Sequence, residues 1–457
     1  MLVENRMLNN ESDPSFLKKY FLLPLERKTT FIAASMIAML ALLILPVSPA
    51  YAAACISTGT GNWSAAATWS CGHVPTAGDD VMIANGSVVT LDVASVTINS
   101  LTLNDGNASS SLTIGGTNVL TVTNDVLITN TNNTTTKLLD VAAGTLNIGG
   151  NLNLSTTGTA GNARVGQLSV GTGTASVNGN INVGGVTSKV VFSGAGILNL
   201  AGNFANGGTL TPGTGTVNYT GAAQTVGSYI YNNLGLSGSA VKTLQAGTSS
   251  ITGNLTLAGT ASATSVANLP VTGNLVVGSG TAFTTGANFT LTVGGTSSIS
   301  GALTLGGTGA KIFTGDVTIN GGGTWNETGV AAITDNGSLT NNGTYVANTG
   351  AHSFAGAAVK TIGGTAAITI PTLTLGGTGA ITNNGTLNAT TLTTSVATTN
   401  NGTINDTSLT VSAATTNNGT LNVLTTLAGA STLTNAATGV LNFGGASITP
   451  TLTASGW

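Results

Sequence analysis

The chain has 457 residues, of which Gly, Thr and Asn together supply 194. Only 5% of the residues are charged, against about 25% in ordinary soluble domains, and the formal net charge is −3. This composition argues against the charged surface of a typical enzyme, while 41% hydrophobic residues and a mean hydropathy of +0.34 argue against disorder. Because Thr and Val favour strands while Gly and Asn favour turns, we predict an all-β fold of many short strands.

Residues 1–54 have the features of a secretory signal peptide. Five of the eleven basic residues precede position 30, an apolar run from Phe31 to Leu45 comes next, and Ala52-Ala53-Ala54 supplies small residues typical of a cleavage site. The run has 15 residues, fewer than the roughly 20 that a helix needs to span a bilayer. We therefore expect export to the cell surface or the extracellular space, with no transmembrane helix in the mature chain.

Cys55 and Cys71 are the two cysteines of the chain, and both lie at the start of the mature part. In an oxidising compartment a disulfide is the economical interpretation, and chain entropy makes such a bond worth about 3 kcal/mol. A lipoprotein-type site with a lipidated Cys55 is the competing interpretation, although it leaves Cys71 without a partner.

Residues 55–99 form a predicted β cap module that differs in sequence from the rest of the mature chain. Trp63 and Trp69 lie six residues apart, Pro75 and Gly78 set a turn, and Asn85-Gly86 predicts either a hairpin or a corner of a solenoid. These features precede a much more repetitive segment, so we place a boundary near residue 99.

The acids of the cap module are predicted to be structural. Asp79 and Asp80 are adjacent, and neighbours on a strand point to opposite faces, so one ion cannot easily bind both carboxylates. We expect them to cap backbone N–H groups. His73 has no second histidine before His352 with which to build a zinc site, so it is also interpreted as structural.

The cap module carries the patterns W-S-x-x-x-x-W, V-P-x-x-G-D-D-V-x-I and G-x-x-V-x-L-D in that order. This stretch resembles the start of the extracellular glycine-rich domain named for its eight glycines. The resemblance implies β structure and no particular activity. The positions that carry it are Trp63, Trp69, Pro75, Gly78, Asp79, Asp80, Val81, Ile83 and Asp92.

Residues 100–457 form a predicted repeat array. The pattern Asn-Asn-Gly-Thr-hydrophobic-Asn begins at Asn383 and recurs twice at a spacing of 17 residues. Such a period, filled by short strands, predicts the coil of a parallel β-helix in which equivalent residues stack about 4.8 Å apart. At about 20 residues per coil, the array makes about 18 coils and a rod of about 85 Å. Asn384, Asn401 and Asn418 are predicted to form a ladder of hydrogen-bonded amides at one corner.

Residues 213–244 and 350–377 partly repeat each other. With the rest of the array they resemble the repeat regions of bacterial secreted and surface β-helix proteins of the filamentous-haemagglutinin and autotransporter-passenger type. The resemblance implies an exported rod with a structural or adhesive role. The array stops at Trp457 without a polar cap, so we expect a fragment, a truncated product or a subunit that uses another secretion route.

Two other functions compete with the rod. A polysaccharide-acting β-helix enzyme needs clustered carboxylates, and an ice- or surface-binding solenoid needs flat rows of Thr, as in Thr121/Thr123, Thr209/Thr211 and Thr214/Thr216. The catalytic candidates are Asp105 and Asp125, twenty residues apart and expected to stack, with Asp140 and Arg164, and a second group of Asp316, Glu327 and Asp335.

The predicted partners depend on the charge pattern. Ten acids and six scattered bases lie after Ala54, which excludes the clustered Lys and Arg that nucleic acids require. We expect no catalytic residue, no cofactor and no metal. The expected partners are glycans, extracellular matrix, other cells and further copies of the rod.

Overall fold

The structure, a computed structural model, describes residues 54–132, 134–156, 164–248 and 250–454. Apart from Ala54, the predicted signal peptide lies outside these residues. No helix within them is long and apolar enough to cross a membrane. A 3-10 turn at Ala66–Thr68 is the helical element of this described part, and the other regular elements are strands.

The described residues form 48 strands, most of them three to five residues long. The first sixteen are β1 (Ala54–Ile56), β2 (Gly61–Asn62), β3 (Asp80–Ile83), β4 (Val88–Leu91), β5 (Ser95–Ile98), β6 (Ser100–Leu103), β7 (Ser110–Ile114), β8 (Val119–Val122), β9 (Val126–Asn130), β10 (Thr136–Val141), β11 (Thr145–Ile148), β12 (Leu152–Thr156), β13 (Val165–Val170), β14 (Thr174–Val177), β15 (Ile181–Gly184) and β16 (Ser188–Phe192). The next sixteen are β17 (Ile197–Leu200), β18 (Thr209–Thr211), β19 (Thr216–Tyr219), β20 (Gln224–Thr225), β21 (Asn233–Leu236), β22 (Val241–Thr243), β23 (Leu255–Leu257), β24 (Ser262–Ser265), β25 (Leu269–Val271), β26 (Leu275–Val277), β27 (Ala282–Thr285), β28 (Leu291–Val293), β29 (Ser297–Ile299), β30 (Ala302–Leu305), β31 (Lys311–Phe313) and β32 (Val317–Ile319). The last sixteen are β33 (Thr324–Glu327), β34 (Ile333–Asp335), β35 (Leu339–Asn341), β36 (Thr344–Val346), β37 (His352–Phe354), β38 (Lys360–Gly363), β39 (Ile368–Leu375), β40 (Ile381–Asn383), β41 (Thr386–Thr394), β42 (Thr398–Asn400), β43 (Thr403–Val411), β44 (Thr415–Asn417), β45 (Thr420–Gly429), β46 (Thr432–Asn435), β47 (Val440–Phe443) and β48 (Thr451–Ala454).

The strands stack in parallel as three faces of one coil, each strand pairing with its equivalent in the next turn. Face I is an eighteen-stranded sheet that runs from β5 and β8 to β46 and β48. Face II contains β1, β3, β6, β9, β12 and β15, and then β20, β22, β24, β27, β30, β33 and β36. Face III contains β2, β4, β7, β10, β13, β16 and β18, and then β25, β28, β31, β34, β37, β39, β41, β43, β45 and β47. The predicted parallel β-solenoid is confirmed, with about 17 turns.

The coils differ in length. Thr145 pairs with Thr174, a step of 29 residues, whereas Ile381 pairs with Thr398, a step of 17. The prediction of about 18 coils beyond residue 100 assumed 20 residues in every coil. The observed turns number about 17 with the cap segment included, because the early coils carry longer corners.

One apolar core runs through the stacked coils. Leu146 and Ile148 of β11 are buried while Asn147 between them faces outward, which is the alternation that the sequence predicted. Each fully buried Leu or Ile contributes roughly 1.5–3 kcal/mol relative to an exposed one. Because every coil adds such residues to the same column, stability accumulates along the solenoid axis.

The segment predicted as a cap module is paired with the array by backbone hydrogen bonds. β3 pairs in parallel with β6, and β4 pairs with β7, so residues 55–99 contribute the first coils of the solenoid. Asn85-Gly86 lies between β3 and β4, which belong to different faces, and Gly86 has a φ of 85°. Of the two interpretations of this dipeptide, the corner is therefore the observed one.

The coils with the 17-residue period have two strands each instead of three. β39, β41, β43 and β45 contain eight to ten residues and cover the positions of faces II and III in one bent strand. In β41, Leu387 and Leu392 point into the core on either side of the bend. The short period thus arises because one corner loop of the coil is lost.

Candidate functional site

A cluster of polar and aromatic side chains lies inside the solenoid between β33 and β37, and we call it the lumen cluster. Trp325 Nε1 donates to Glu327 Oε1 at 2.7 Å, and Glu327 Oε2 lies 2.9 Å from Nε2 of His352. The Tyr345 ring stacks on Trp325 with centroids 5.5 Å apart, and its hydroxyl lies 3.4 Å from both Glu327 Oε1 and His352 Nδ1. With Asp335, all five side chains are buried.

The strand period explains why these residues meet. Trp325 and Glu327 are two residues apart on β33, so both point into the lumen. Tyr345 is the partner of Trp325 one coil later, and His352 takes the inward position on β37 that Ile333 takes on β34. The alternation therefore places an acid, a histidine and two aromatic rings in adjacent layers of the core.

Asp335 is the member of the lumen cluster that has a buried oxygen without a hydrogen-bond partner in the described residues. Its side chain is 3% exposed, and Oδ1 has no hydrogen-bond partner in the described part of the chain. Burial raises the pKa of Asp335 to about 7, the charge of Glu327 adds to the rise, and His352 opposes it. Because all five side chains are buried, the lumen cluster offers a substrate no open surface.

The two carboxylates that were expected to stack, Asp105 and Asp125, do not. Asp105 follows β6 and accepts hydrogen bonds from the backbone and hydroxyl of Thr131, which lower its pKa. Asp125 precedes β9 and accepts from the backbone N–H of Asn151 at 2.7 Å. They lie at opposite ends of stacked strands, about 15 Å apart for a strand of five residues, so they form no shared site.

The remaining catalytic candidates are brought together only in part. Glu327 and Asp335 meet in the lumen cluster, whereas Asp316 is exposed and accepts a hydrogen bond from the backbone of the next coil. Asp140 takes an outward-facing position on β10, and Arg164 is buried directly before β13. Sequence reasoning missed His352, although its inward position in the alternating strand His-Ser-Phe was a usable signal.

The N-terminal coil is closed by the Cys55–Cys71 disulfide, as the first of the two interpretations predicted. His73 Nε2 lies 3.9 Å from Cys55 Sγ and 3.2 Å from Asp79 Oδ2. Cysteine, histidine and carboxylate side chains are common zinc ligands. The structure therefore brings more potential zinc ligands together than the sequence indicated. Both sulfurs are bonded to each other, however, and are not thiolate ligands in this structure.

Asp79 and Asp80 hydrogen-bond to different neighbours. Burial acts to raise the pKa of Asp79, but hydrogen bonds from Thr76 and His73 outweigh it and the pKa is lowered. Asp80 Oδ1 instead accepts from Asn99 Nδ2 at 2.8 Å and from the neighbouring Ser100 hydroxyl. Both acids therefore serve local structure.

The other cap residues form the turn and the end of the core. Trp63 and Trp69 are buried and pack edge-on with centroids 4.8 Å apart, and Trp69 Nε1 donates to the Trp63 carbonyl at 2.9 Å. Pro75 is buried and Gly78 is exposed in the turn before β3. The Trp pair covers the first coil of the core.

The predicted Asn ladder is one of three in the same coils. Asn401 donates to Asn384, and Asn418 donates to Asn401, each at 3.0 Å on the exposed corner. A second ladder, which the sequence reasoning missed, is buried and a third faces outward. The buried ladder is Asn383, Asn400 and Asn417, continued by the partly buried Asn435, with amide contacts of 2.8, 2.8 and 2.7 Å. The outward ladder is Asn388, Asn405, Asn422 and Asn442, with contacts of 2.8, 2.6 and 2.7 Å.

The outward ladder lines an open groove of about 730 Å³, which we call the amide groove. Beside the four amides, the groove is lined by Leu424 of β45 and Phe443 of β47. Asp406 also lines it but is 5% exposed, and its Oδ2 has no partner in the described residues. Burial raises the pKa of Asp406 to about 7.

Four lysines that look scattered in the sequence are buried and bind corner carbonyls. The Lys242 ammonium donates to the carbonyls of Gly221 and Ala222 at 2.5 and 2.7 Å and to Gln224 Oε1 at 2.6 Å. Lys137, Lys311 and Lys360 make equivalent contacts with backbone carbonyls at other corners. Burial lowers the pKa of each of these lysines. These charges therefore belong to the corners and not to a basic surface.

The Thr pairs do not form one flat row. Thr121 lies on face I, whereas Thr209 and Thr211 lie on face III. On face I the position of Thr121 is taken in the next two coils by Asn147 and Ser176. A continuous threonine surface is therefore not made from these pairs.

Comparison of the chain with protein families, with curated proteins and with solved structures finds no match.

Proposed function

We propose that this protein is an exported, non-catalytic β-solenoid rod with a structural and adhesive role at a bacterial-type cell surface or in the extracellular space. The observation that carries the proposal is how the candidate catalytic carboxylates are used. Asp105 and Asp125 hydrogen-bond to the next coil, and Glu327 and Asp335 are sealed in the lumen. These carboxylates are therefore taken up by the packing of the coils and do not form a shared open site.

The leader-like residues 1–54 and the disulfide support export. A disulfide persists in an oxidising compartment, and Cys55–Cys71 closes the first coil. The partners proposed for the rod are glycans, extracellular matrix, other cells and further copies of the chain. An enzymatic role is not favoured, because a general acid and base must reach a substrate and the Glu327–His352 pair is buried.

Export is tested by expressing the full chain in a bacterial host and fractionating the cells. We expect the protein outside the cytoplasm with its N-terminus near residue 55 and with no free thiol. Retention in the cytoplasm with residues 1–54 intact would contradict this part of the proposal.

Adhesion and catalysis are separated by one assay on the purified protein. We expect binding to cells or to immobilised glycans without release of reducing ends from polysaccharides, with and without calcium. Reducing-end release that is lost in Glu327→Gln, with Asp316→Asn as the exposed control, would support the enzyme instead. Binding to no surface would reduce the role to a passive structural one.

A further inference from the structure

We propose that the amide groove binds a neutral, hydroxyl-rich polysaccharide chain that lies along the solenoid axis. The inference rests on the proposed adhesive function and names the ligand class for it. The groove combines a row of amides, an exposed apolar residue and an aromatic ring, and each of these makes a separate contribution.

The amides supply paired donors and acceptors at a regular interval. Nδ2 of Asn405 donates to Asn388, and Nδ2 of Asn422 donates to Asn405. A primary amide has two N–H donors and an oxygen with two lone pairs, so each ladder bond leaves one donor and one lone pair on every amide. A sugar hydroxyl is both donor and acceptor and can bond to such a pair.

The ladder is long enough for several sugar units. From Asn388 to Asn442 it covers three steps between adjacent strands, which is about 14 Å. All four amides line the groove, and three of them are partly buried. Strand pairing fixes Asn388, Asn405 and Asn422 on both sides and Asn442 on one side, so little ordering entropy is lost when a ligand binds.

An irregularity in one coil exposes the apolar side chain that lines the amide groove. The register between β43 and β45 shifts after Asp406, so β45 contains one extra residue. This bulge leaves Leu424 65% exposed, beside the partly buried ring of Phe443. Bulges redirect side chains and are common beside functional sites. The C–H faces of a sugar ring pack against such apolar and aromatic groups.

The charge of the groove selects a neutral ligand. Asp406 is the ionisable residue among those that line it, and only 5% of its surface is exposed. The lining contains no lysine and no arginine, so a sulfated or uronic-acid polymer finds no counter-charge. Neutral hydroxyl groups are the chemistry that the exposed amides match.

The test is a binding measurement with the purified protein against dextran, laminarin, mannan and xylan as neutral probes and heparin and polygalacturonate as anionic probes. We expect saturable binding to at least one neutral probe and weaker binding to both anionic ones. The double variant Asn405→Ala/Asn422→Ala should raise the dissociation constant at least about tenfold, since each lost hydrogen bond contributes to the affinity.

The matched control is Asn401→Ala/Asn418→Ala, which removes two ladder amides from the same coils at the corner outside the groove. It should leave the dissociation constant unchanged within about twofold. A second pair avoids the ladders altogether. Leu424→Ser should weaken binding several-fold, whereas Val359→Ser, at a distant site that is 72% exposed, should not.

The possible results distinguish failure of the groove inference from failure of the proposed adhesive function. If no neutral probe binds, if both double variants lose affinity equally, or if Leu424→Ser has no effect, the groove inference is overturned. If the rod still adheres to cells in that case, the adhesive function stands and uses another surface. If neither cells nor polysaccharides bind, the groove inference and the adhesive role both fail, and a passive structural role is left.

Discussion

Replacing Asp335 by Asn should make the protein more stable, and the gain should grow as the pH rises. Asp335 is buried beside Glu327, His352 and Tyr345, and its pKa is raised to about 7. An aspartate in the unfolded chain has a pKa of about 3.9. Between these two values the native state binds more protons than the unfolded state, so stability falls as the pH rises. Asn keeps the shape of the side chain and removes the titration.

The size of the effect is set by the difference in pKa. One pKa unit corresponds to about 1.36 kcal/mol, so the shift of Asp335 to about 7 corresponds to about 4 kcal/mol. The buried charge destabilises the protein little near about pH 4, and by nearly the full amount near about pH 8. The free energy difference between Asp335→Asn and the unmodified protein should therefore increase by about 4 kcal/mol over this range.

The assay is urea unfolding at several pH values, with the midpoint compared at a constant slope. Asp316→Asn is the control, since this exposed carboxylate involves no buried charge, and it should show no such increase. Burial also raises the pKa of Asp406, so the stability of both the unmodified protein and Asp335→Asn should still fall as the pH rises. A constant difference between the two proteins across the range would refute the reasoning.

Three further changes test the disulfide, the amide ladders and the buried lysine that stabilise the coils. Reduction of the Cys55–Cys71 bond should destabilise the protein by about 3 kcal/mol, measured by thermal unfolding with and without reductant. Asn400→Ala in the buried ladder removes two ladder bonds and should cost about 3 kcal/mol, whereas Asn401→Ala on the exposed corner should cost less than about 1 kcal/mol; urea midpoints give both values. Lys242→Met removes three hydrogen bonds, among them the one to the Ala222 carbonyl, and should cost at least about 2 kcal/mol, whereas an unchanged urea midpoint would mean that this corner is held without its lysine.

The fold was readable from the sequence because one physical pattern recurs. Alternation such as Leu146-Asn147-Ile148 predicts which side chains enter the core, and the 17-residue spacing predicts that equivalent residues stack. The same alternation could have placed Asn383 inside, since it lies two residues after Ile381 on the same strand. It was missed because an amide is expected outside unless another buried amide pairs with it.

The candidate sites were harder to predict because they depend on coil length. The alternation with Trp325 predicts that Glu327 points inward. Its contact with His352, however, requires that the four intervening corners place β37 over the same part of the lumen. Lys242 was counted only as one of six scattered bases, since nothing in the local sequence shows that its ammonium bonds to corner carbonyls. The bulge that exposes Leu424 is likewise one extra residue that no spacing rule anticipated.

The most direct test of the proposed function is to incubate the purified protein with an insoluble neutral polysaccharide and to measure the bound protein and the released reducing ends in the same sample. We predict saturable retention of the protein on the solid and no increase in reducing ends over time, with and without calcium. Steady release of reducing ends, or recovery of all the protein in the supernatant with every neutral polysaccharide and with cells, would contradict a non-catalytic adhesive rod.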